Sequence, residues 1–301
     1  MAQSCDMTSE PSTKARGRRI GVKAAAMFGL LASAISALGA VGTAASANTA
    51  AATATKPTLK AGRQTVTLTV DGQNRTAVVY VPTKLSGATP LVFGFHGHGG
   101  SGANYARKTP INSLWPAAVA VYPDGLTGHK GLTDPTGVKS GWQTTAGELA
   151  DRDLHFFDSL LAYVAAAVPI DRDRIYATGH SNGAAFTALL WQQRGSQLAA
   201  IATAGGQPGA KTLTAPPRSV YMQMGRQDPI VPFDQQVRSV NLVKARLGIA
   251  LNASGTKLSA DTTSFRSANG LELVVQITDT GHTPPASLAP QVAAFFQRHH
   301  R

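Results

Sequence analysis

Three side chains, far apart along this sequence, have the types needed to activate a hydroxyl. Ser181 stands at the centre of Gly179-His180-Ser181-Asn182-Gly183. A serine hydroxyl is a poor nucleophile at neutral pH; it needs a base to take its proton and a third group to orient that base. Asp228, in Gly225-Arg226-Gln227-Asp228-Pro229, and His282, in Gly281-His282-Thr283-Pro284-Pro285, follow the serine in the order nucleophile, acid, base. Such a set performs nucleophilic acyl transfer. Asp234 and Asp279 are rival acids, but Asp234 reads as a helix start and Asp279 lies three residues from His282. Of the other histidines, His299 and His300 are terminal, His129 is in a long loop, His155 is on a helix, and His180 packs or bonds beneath the turn.

Acyl transfer also needs donors for the oxygen that becomes an anion. His96-Gly97-His98-Gly99-Gly100 supplies a glycine-rich loop whose backbone N–H groups can face that oxygen. The donors would be the amide of His98 or Gly99 and that of Asn182, the residue after the nucleophile. The same loop has a rival reading as a metal pair at His96 and His98. No acidic or further histidine neighbour completes a coordination set, so no metal is expected. His96 is expected to bond the loop.

These residues must sit on elements that bring them together. Arg174–Thr178 is β-rich and Ala184–Trp191 is a good helix former, so the serine lies on a tight strand-to-helix turn. The turn is expected to strain the serine backbone, with the helix N-terminus beneath it favouring negative charge. Asp228 follows an apolar run, Tyr221–Met224, and His282 follows another, Leu271–Ile277. Both then fall at the C-terminal edge of a parallel sheet, the edge where ligands of open α/β sheets bind. Upstream, Gln64–Val70 alternates, Asp71-Gly72 signals a hairpin, and Ala77–Val81 returns. Pro90–Phe95 and Ala117–Tyr122 read as strands buried on both faces. From Asp151, Leu154, Phe157, Leu161, Val164 and Val168 share a helical face; residues 234–247 and 287–298 form later helices. Residues 126–147, rich in Gly, Thr, Lys and Pro, read as a long loop, and such loops in compact domains are usually functional or disordered. The alternation predicts an α/β fold: a mostly parallel central sheet with an N-terminal antiparallel hairpin and helices on both faces.

Residues 14–23 are basic, 24–41 are apolar and rich in Ala and Gly, and Thr43–Ala47 offers a small-residue cleavage site. This predicts a secretory signal peptide over 1–47, with Arg18-Arg19 resembling a twin-arginine signal, and a secreted product with no membrane anchor after cleavage. A disordered entry segment is expected over 48–61 and a single catalytic domain over 62–301. Residues 48–301 carry 23 basic and 14 acidic residues, a net +9, scattered without basic runs. That argues against nucleic-acid binding. The one cysteine, Cys5, lies in the leader, so no disulfide is expected in the mature chain.

Phe95-His96-Gly97 with Gly99-Gly100, Tyr122-Pro123-Asp124-Gly125, Gly141-Trp142, Asp153-Leu154, the elbow stretch, Gly225–Pro232 and Gly281–Pro285 together resemble the secreted polyhydroxybutyrate depolymerase/feruloyl esterase family of α/β-hydrolases. The resemblance covers about residues 62–300. It implies an α/β-hydrolase fold and carboxylic ester hydrolysis without a cofactor, on a hydroxyalkanoate oligomer or polyester, or on a feruloyl or acetyl ester of a polysaccharide. It also implies that Trp142 lines the acyl-binding cleft; a partly buried loop anchor is the other reading. Three positions depart from the family: Gln143 stands where a disulfide cysteine is frequent, Arg152 precedes Asp153 where two adjacent acids are usual, and Ala184 replaces a second glycine. Relatives in this family that act on insoluble polyester often carry a linker and a separate binding domain; none is expected here, so a soluble ester, an oligomer or a polysaccharide-linked acyl group is the expected substrate. The same machinery serves an acyltransferase, and the fold also serves noncatalytic binding.

Overall fold

The computed structural model describes residues 57–301 apart from Ser86, Leu132 and Gln207. The leader predicted over 1–47, Cys5 and most of the predicted entry segment lie outside the described residues. Ten strands form one sheet: β1 (Gly62–Val70), β2 (Gln73–Val81), β3 (Thr89–Phe95), β4 (Val119–Pro123), β5 (Ile170–His180), β6 (Ala200–Ala204), β7 (Ser219–Gly225), β8 (Thr256–Lys257), β9 (Thr262–Arg266) and β10 (Glu272–Thr278). Their spatial order is β1-β2-β4-β3-β5-β6-β7-β10-β9-β8. From β4 to β10 every neighbouring pair is parallel. The Asp71-Gly72 hairpin pairs β1 with β2 antiparallel, and β2 runs antiparallel to β4. The opposite edge is also antiparallel, through β9 and β8.

The helices are α1 (Gly102–Lys108), the one-turn α2 (Ile111–Leu114), α3 (Arg152–Ala167), α4 (Asn182–Arg194), α5 (Phe233–Leu247) and α6 (Leu288–Gln297). Strand residues alternate between two cores because side chains have a period of two. Leu91, Phe93 and Phe95 of β3 join Leu160, Phe186 and Val243 from α3, α4 and α5. Val92 faces the other way, with Tyr105, Ile111 and Phe296 from α1, α2 and α6. β3, β4, β6 and β7 are buried along their whole length, as strands covered on both faces must be. This three-layer arrangement, with the hairpin preceding the parallel strands, is the α/β-hydrolase fold.

Candidate active site

The elbow leaves one residue between β5 and α4. That residue is Ser181, with φ 56° and ψ −122°, a left-handed φ that costs a non-glycine residue energy. The flanking glycines permit it by close approach. A Cβ on Gly179 would lie 2.2 Å from the Gly183 carbonyl oxygen, and one on Gly183 would lie 2.3 Å from that of Phe95. The Ser181 amide donates to the Ala204 carbonyl on β6 (2.9 Å), fixing the turn to the sheet.

The loops after β7 and β10 bring Asp228 and His282 to the same sheet edge. His282 Nε2 lies 2.8 Å from Ser181 Oγ, and His282 Nδ1 lies 2.9 Å from Asp228 Oδ2. A carboxylate only accepts, so Nδ1 carries the proton and Nε2 is left bare to accept from the serine hydroxyl. Asp228 is almost fully buried. Burial alone would raise its pKa, but the Val231 and Ile230 amides and the His282 ring outweigh it and hold the carboxyl below its ordinary range. The two amides bond Oδ1 at 2.9 Å each, leaving Oδ2 for the imidazole. The rival acids are elsewhere: exposed Asp234 pairs with Arg238, and exposed Asp279 with Arg226.

His180 supports His282 from behind. Its Nε2–H donates to the His282 carbonyl (2.8 Å), and the two rings pack 4.9 Å apart. Burial lowers its pKa to about 4, so the ring is neutral at neutral pH and adds no competing charge. If His282 serves as a base, His180→Ala is expected to lower kcat about tenfold, the loss of one buried hydrogen bond that holds His282; kcat measured alongside an unchanged circular dichroism spectrum checks it.

In the glycine-rich loop, the Gly99 amide donates to the Ser140 carbonyl (2.7 Å). Gly99 is therefore not available as an oxyanion donor, which corrects that alternative. The His98 amide has no acceptor among the described residues. The Asn182 amide opens α4, where first-turn N–H groups have no intrahelical partner. His96 is buried and bonds the loop: Gly125 N–H donates to its Nε2 (2.9 Å), and its Nδ1–H donates to the Gly97 carbonyl (2.8 Å). Burial lowers the His96 pKa, consistent with a neutral ring in this role. Among the described residues no cluster of three or more His, Cys, Asp or Glu side chains is arranged to hold a metal ion.

Trp142 does not line a cleft; its side chain is fully buried. Its ring stacks on Phe186 and meets Phe95 edge-on, and its indole N–H donates to the His96 carbonyl (2.9 Å). The Asn182 side chain closes a reciprocal pair with the Trp142 backbone, accepting from N–H at 2.8 Å and donating to the carbonyl at 2.9 Å. Trp142 is the anchor that holds the 126–147 loop against the elbow.

Two supporting residues are not evident from the sequence. Asp134 is buried inside that loop, accepting from His98 Nε2 (3.0 Å) and from the Gly137 and Lys139 amides. These bonds, the His98 ring foremost, hold the Asp134 carboxyl below its ordinary range. Its only signal is the Asp-x-Thr-Gly run, a side-chain-closed turn. Gln143, at the position of the family's frequent cysteine, is fully buried. Its Oε1 accepts from the Asp153 and Leu154 amides at the start of α3, and its amide group donates to Asp151 (2.7 Å).

Two clefts meet at Ser181. One, of about 460 Å³, has His282, His180, Arg107 and Lys108 in its wall. The other, of about 680 Å³, has Asn182, Ala185, Gly205, Gly206 and Val231. Both are bounded by His98, Thr133 and Ile230.

No protein-family model matches the chain. Feruloyl esterase D of Neurospora crassa is 29% identical over 200 residues, covering 60% of this chain and 63% of that protein. The chain thus spans under two thirds of the relative's length. Among solved structures, an acetyl xylan esterase from Aspergillus awamori superposes with a TM-score of 0.58 at 14% identity, covering 77% of this chain and 99% of the other. A ferulic acid esterase superposes with a TM-score of 0.57 at 14% identity, covering 80% and 99%. The chain is an α/β-hydrolase-fold protein similar in sequence to feruloyl esterases.

Proposed function

We propose that the protein is a carboxylic ester hydrolase with Ser181 as nucleophile, His282 as general base and acid, and Asp228 as the group that orients His282. The unbroken run from Ser181 Oγ through His282 to Asp228, at 2.8 and 2.9 Å, carries this reading. Ser181 Oγ bonds to the ester carbon as its proton passes to His282 Nε2. The carbonyl oxygen, now an anion, takes the amides of His98 and Asn182. The C–O bond to the alcohol breaks, and the alcohol leaves with the proton held on Nε2. Water, deprotonated in turn by Nε2, attacks the acyl-enzyme; the acid is released and the serine recovers its proton. The leaving oxygen must reach His282 Nε2, so the 460 Å³ cleft receives the alcohol and the 680 Å³ cleft the acyl group.

The similarity to feruloyl esterases favours a feruloyl or acetyl ester of a polysaccharide; a hydroxyalkanoate oligomer is the other substrate carried by the motifs. Residues 62–301 would form the catalytic domain. The basic stretch, Ala-rich apolar stretch and small-residue site of residues 14–47 support export from the cytoplasm. No described helix is long and apolar enough to cross a membrane.

The test is hydrolysis of short p-nitrophenyl esters, methyl ferulate, acetylated xylan and a hydroxybutyrate oligomer, with fluorophosphonate labelling alongside. Ser181→Ala is expected to lose the label and about 10⁶-fold in kcat, the scale seen when a triad nucleophile is removed. Turnover that survives in Ser181→Ala would sink the assignment.

A further inference from the structure

The alcohol-side cleft has an uneven charge. Arg107 and Lys108, in the last turn of α1, line the same cavity as Ser181 and His282. No acidic residue is among the described residues that line it. Among the described residues the Arg107 guanidinium bonds only to its own helix, at the Asn104 side chain and the Ala103 carbonyl. Lys108 has no carboxylate partner among the described residues, and its charge is felt at His180, one of the factors that lower that ring's pKa. The nearby carboxylates are committed elsewhere: Asp228 to His282, Asp134 to His98, and Asp124 to Thr76 and the Gly102 amide. Two adjacent cations on a cleft wall without a counter-ion repel each other and create a positive potential over the space a leaving group must fill.

Resting on the ester-hydrolase reading above, we propose that the alcohol half of the substrate carries a carboxylate, and that Arg107 and Lys108 bind it. The alcohol is then a hydroxy acid or a uronic acid. The 680 Å³ cleft that receives the acyl half has a single cation, Lys130, in place of an adjacent pair, so the charge is concentrated on the alcohol side. The carboxylate stays on the alcohol throughout; the bond broken is still the ester C–O bond, and the pair acts by placing that alcohol with its oxygen at His282 Nε2. Both cations are exposed, so each contributes a modest, salt-sensitive attraction.

The experiment compares esters that share an acyl group and differ only in the charge on the alcohol. 4-Acetoxybenzoate and 4-acetoxybenzamide are the first pair. O-acetyl-3-hydroxybutanoate with its amide, and an O-acetylated methyl uronoside with its uronamide, separate hydroxy acid from uronate. The ratio of kcat/KM, charged over neutral, is expected to be about tenfold at low salt for at least one pair. It should fall toward one in Arg107→Gln/Lys108→Gln and at high salt. The free acid 4-hydroxybenzoate should likewise inhibit the wild type more strongly than 4-hydroxybenzamide. A wild-type ratio of one in every pair, or a preference that persists in the double variant, overturns the inference and leaves the hydrolase reading standing. A serine that takes the fluorophosphonate label while no member of any pair is hydrolysed also overturns it. If no ester of any kind is turned over and Ser181 takes no label, the hydrolase reading itself fails.

Discussion

Asp228→Asn is expected to lower kcat about 10⁴-fold with the fold intact, the loss seen when a triad acid becomes an amide. The geometry says why the amide cannot turn to rescue itself. The Ile230 and Val231 N–H groups both point at Oδ1. They require an acceptor there, so the new NH2 must take the Oδ2 position, facing His282 Nδ1. Gln236 Nε2 lies 3.5 Å from Oδ2 and opposes this arrangement, but more weakly than two amides at 2.9 Å. Nδ1 would then become an acceptor, and the ring proton would move to Nε2, where it faces the serine hydroxyl it should deprotonate. Steady-state kinetics on a p-nitrophenyl ester, with circular dichroism to show folding, reads the effect. A variant within tenfold of wild type would remove Asp228 from the mechanism.

The largest effect on stability is expected from Asp153→Ala, at about 3–5 kcal/mol, because it strands a buried cation. Asp153 and Arg75 are both buried, with Asp153 Oδ1 2.8 Å from an Arg75 Nη. Arg75 on β2 also donates to the Arg152 carbonyl and lies over the Phe156 ring. Asp153 Oδ2 accepts from the Gln143 amide (2.8 Å). One carboxylate therefore ties the N-terminal hairpin, α3 and the segment after Trp142. For a chain of this size the change corresponds to a fall in Tm of about 10 °C, measured by thermal denaturation. A fall of under about 2 °C would show that Arg75 finds solvent or another partner.

The parts of the molecule legible in the sequence are those written in local patterns. The apolar runs at Pro90–Phe95, Ala117–Tyr122 and Tyr221–Met224 mark strands covered on both faces, and the helical spacing from Leu154 to Val164 marks α3. The elbow and the two strand-end loops are local as well, so candidate triad residues can be named without their distances. The second antiparallel edge is not legible in this way. β8 has two residues, both exposed, and β9 reads Thr-Thr-Ser-Phe-Arg, too polar to separate from a loop. The ambiguity in the oxyanion loop has a different origin. His98 and Gly99 look equally suitable until Ser140, distant along the chain, takes the Gly99 amide. Trp142 stays open in the sequence for the same reason, since its neighbours Phe95 and Phe186 lie on distant elements. Asp134 shows in the sequence only as a closed turn, with its distant partner His98 unannounced, and Gln143 bonds residues 8 to 11 positions ahead at a spacing that matches no motif.

The placement of the proposed triad just beyond the ends of three parallel strands has a consequence for how the chain comes to life. Ser181 and His282 are separated by 101 residues, and Asp228 and His282 by 54. As a ribosome extends the chain, the strained elbow and the glycine-rich loop emerge well before the last strand. Until β10 docks beside β7, the Ser181 hydroxyl lacks the His282 ring that it meets in the finished fold. Non-local pairings of this kind form late and slowly. On the ester-hydrolase proposal, an unfinished or partly folded chain would therefore be silent toward esters, with no inhibitor required.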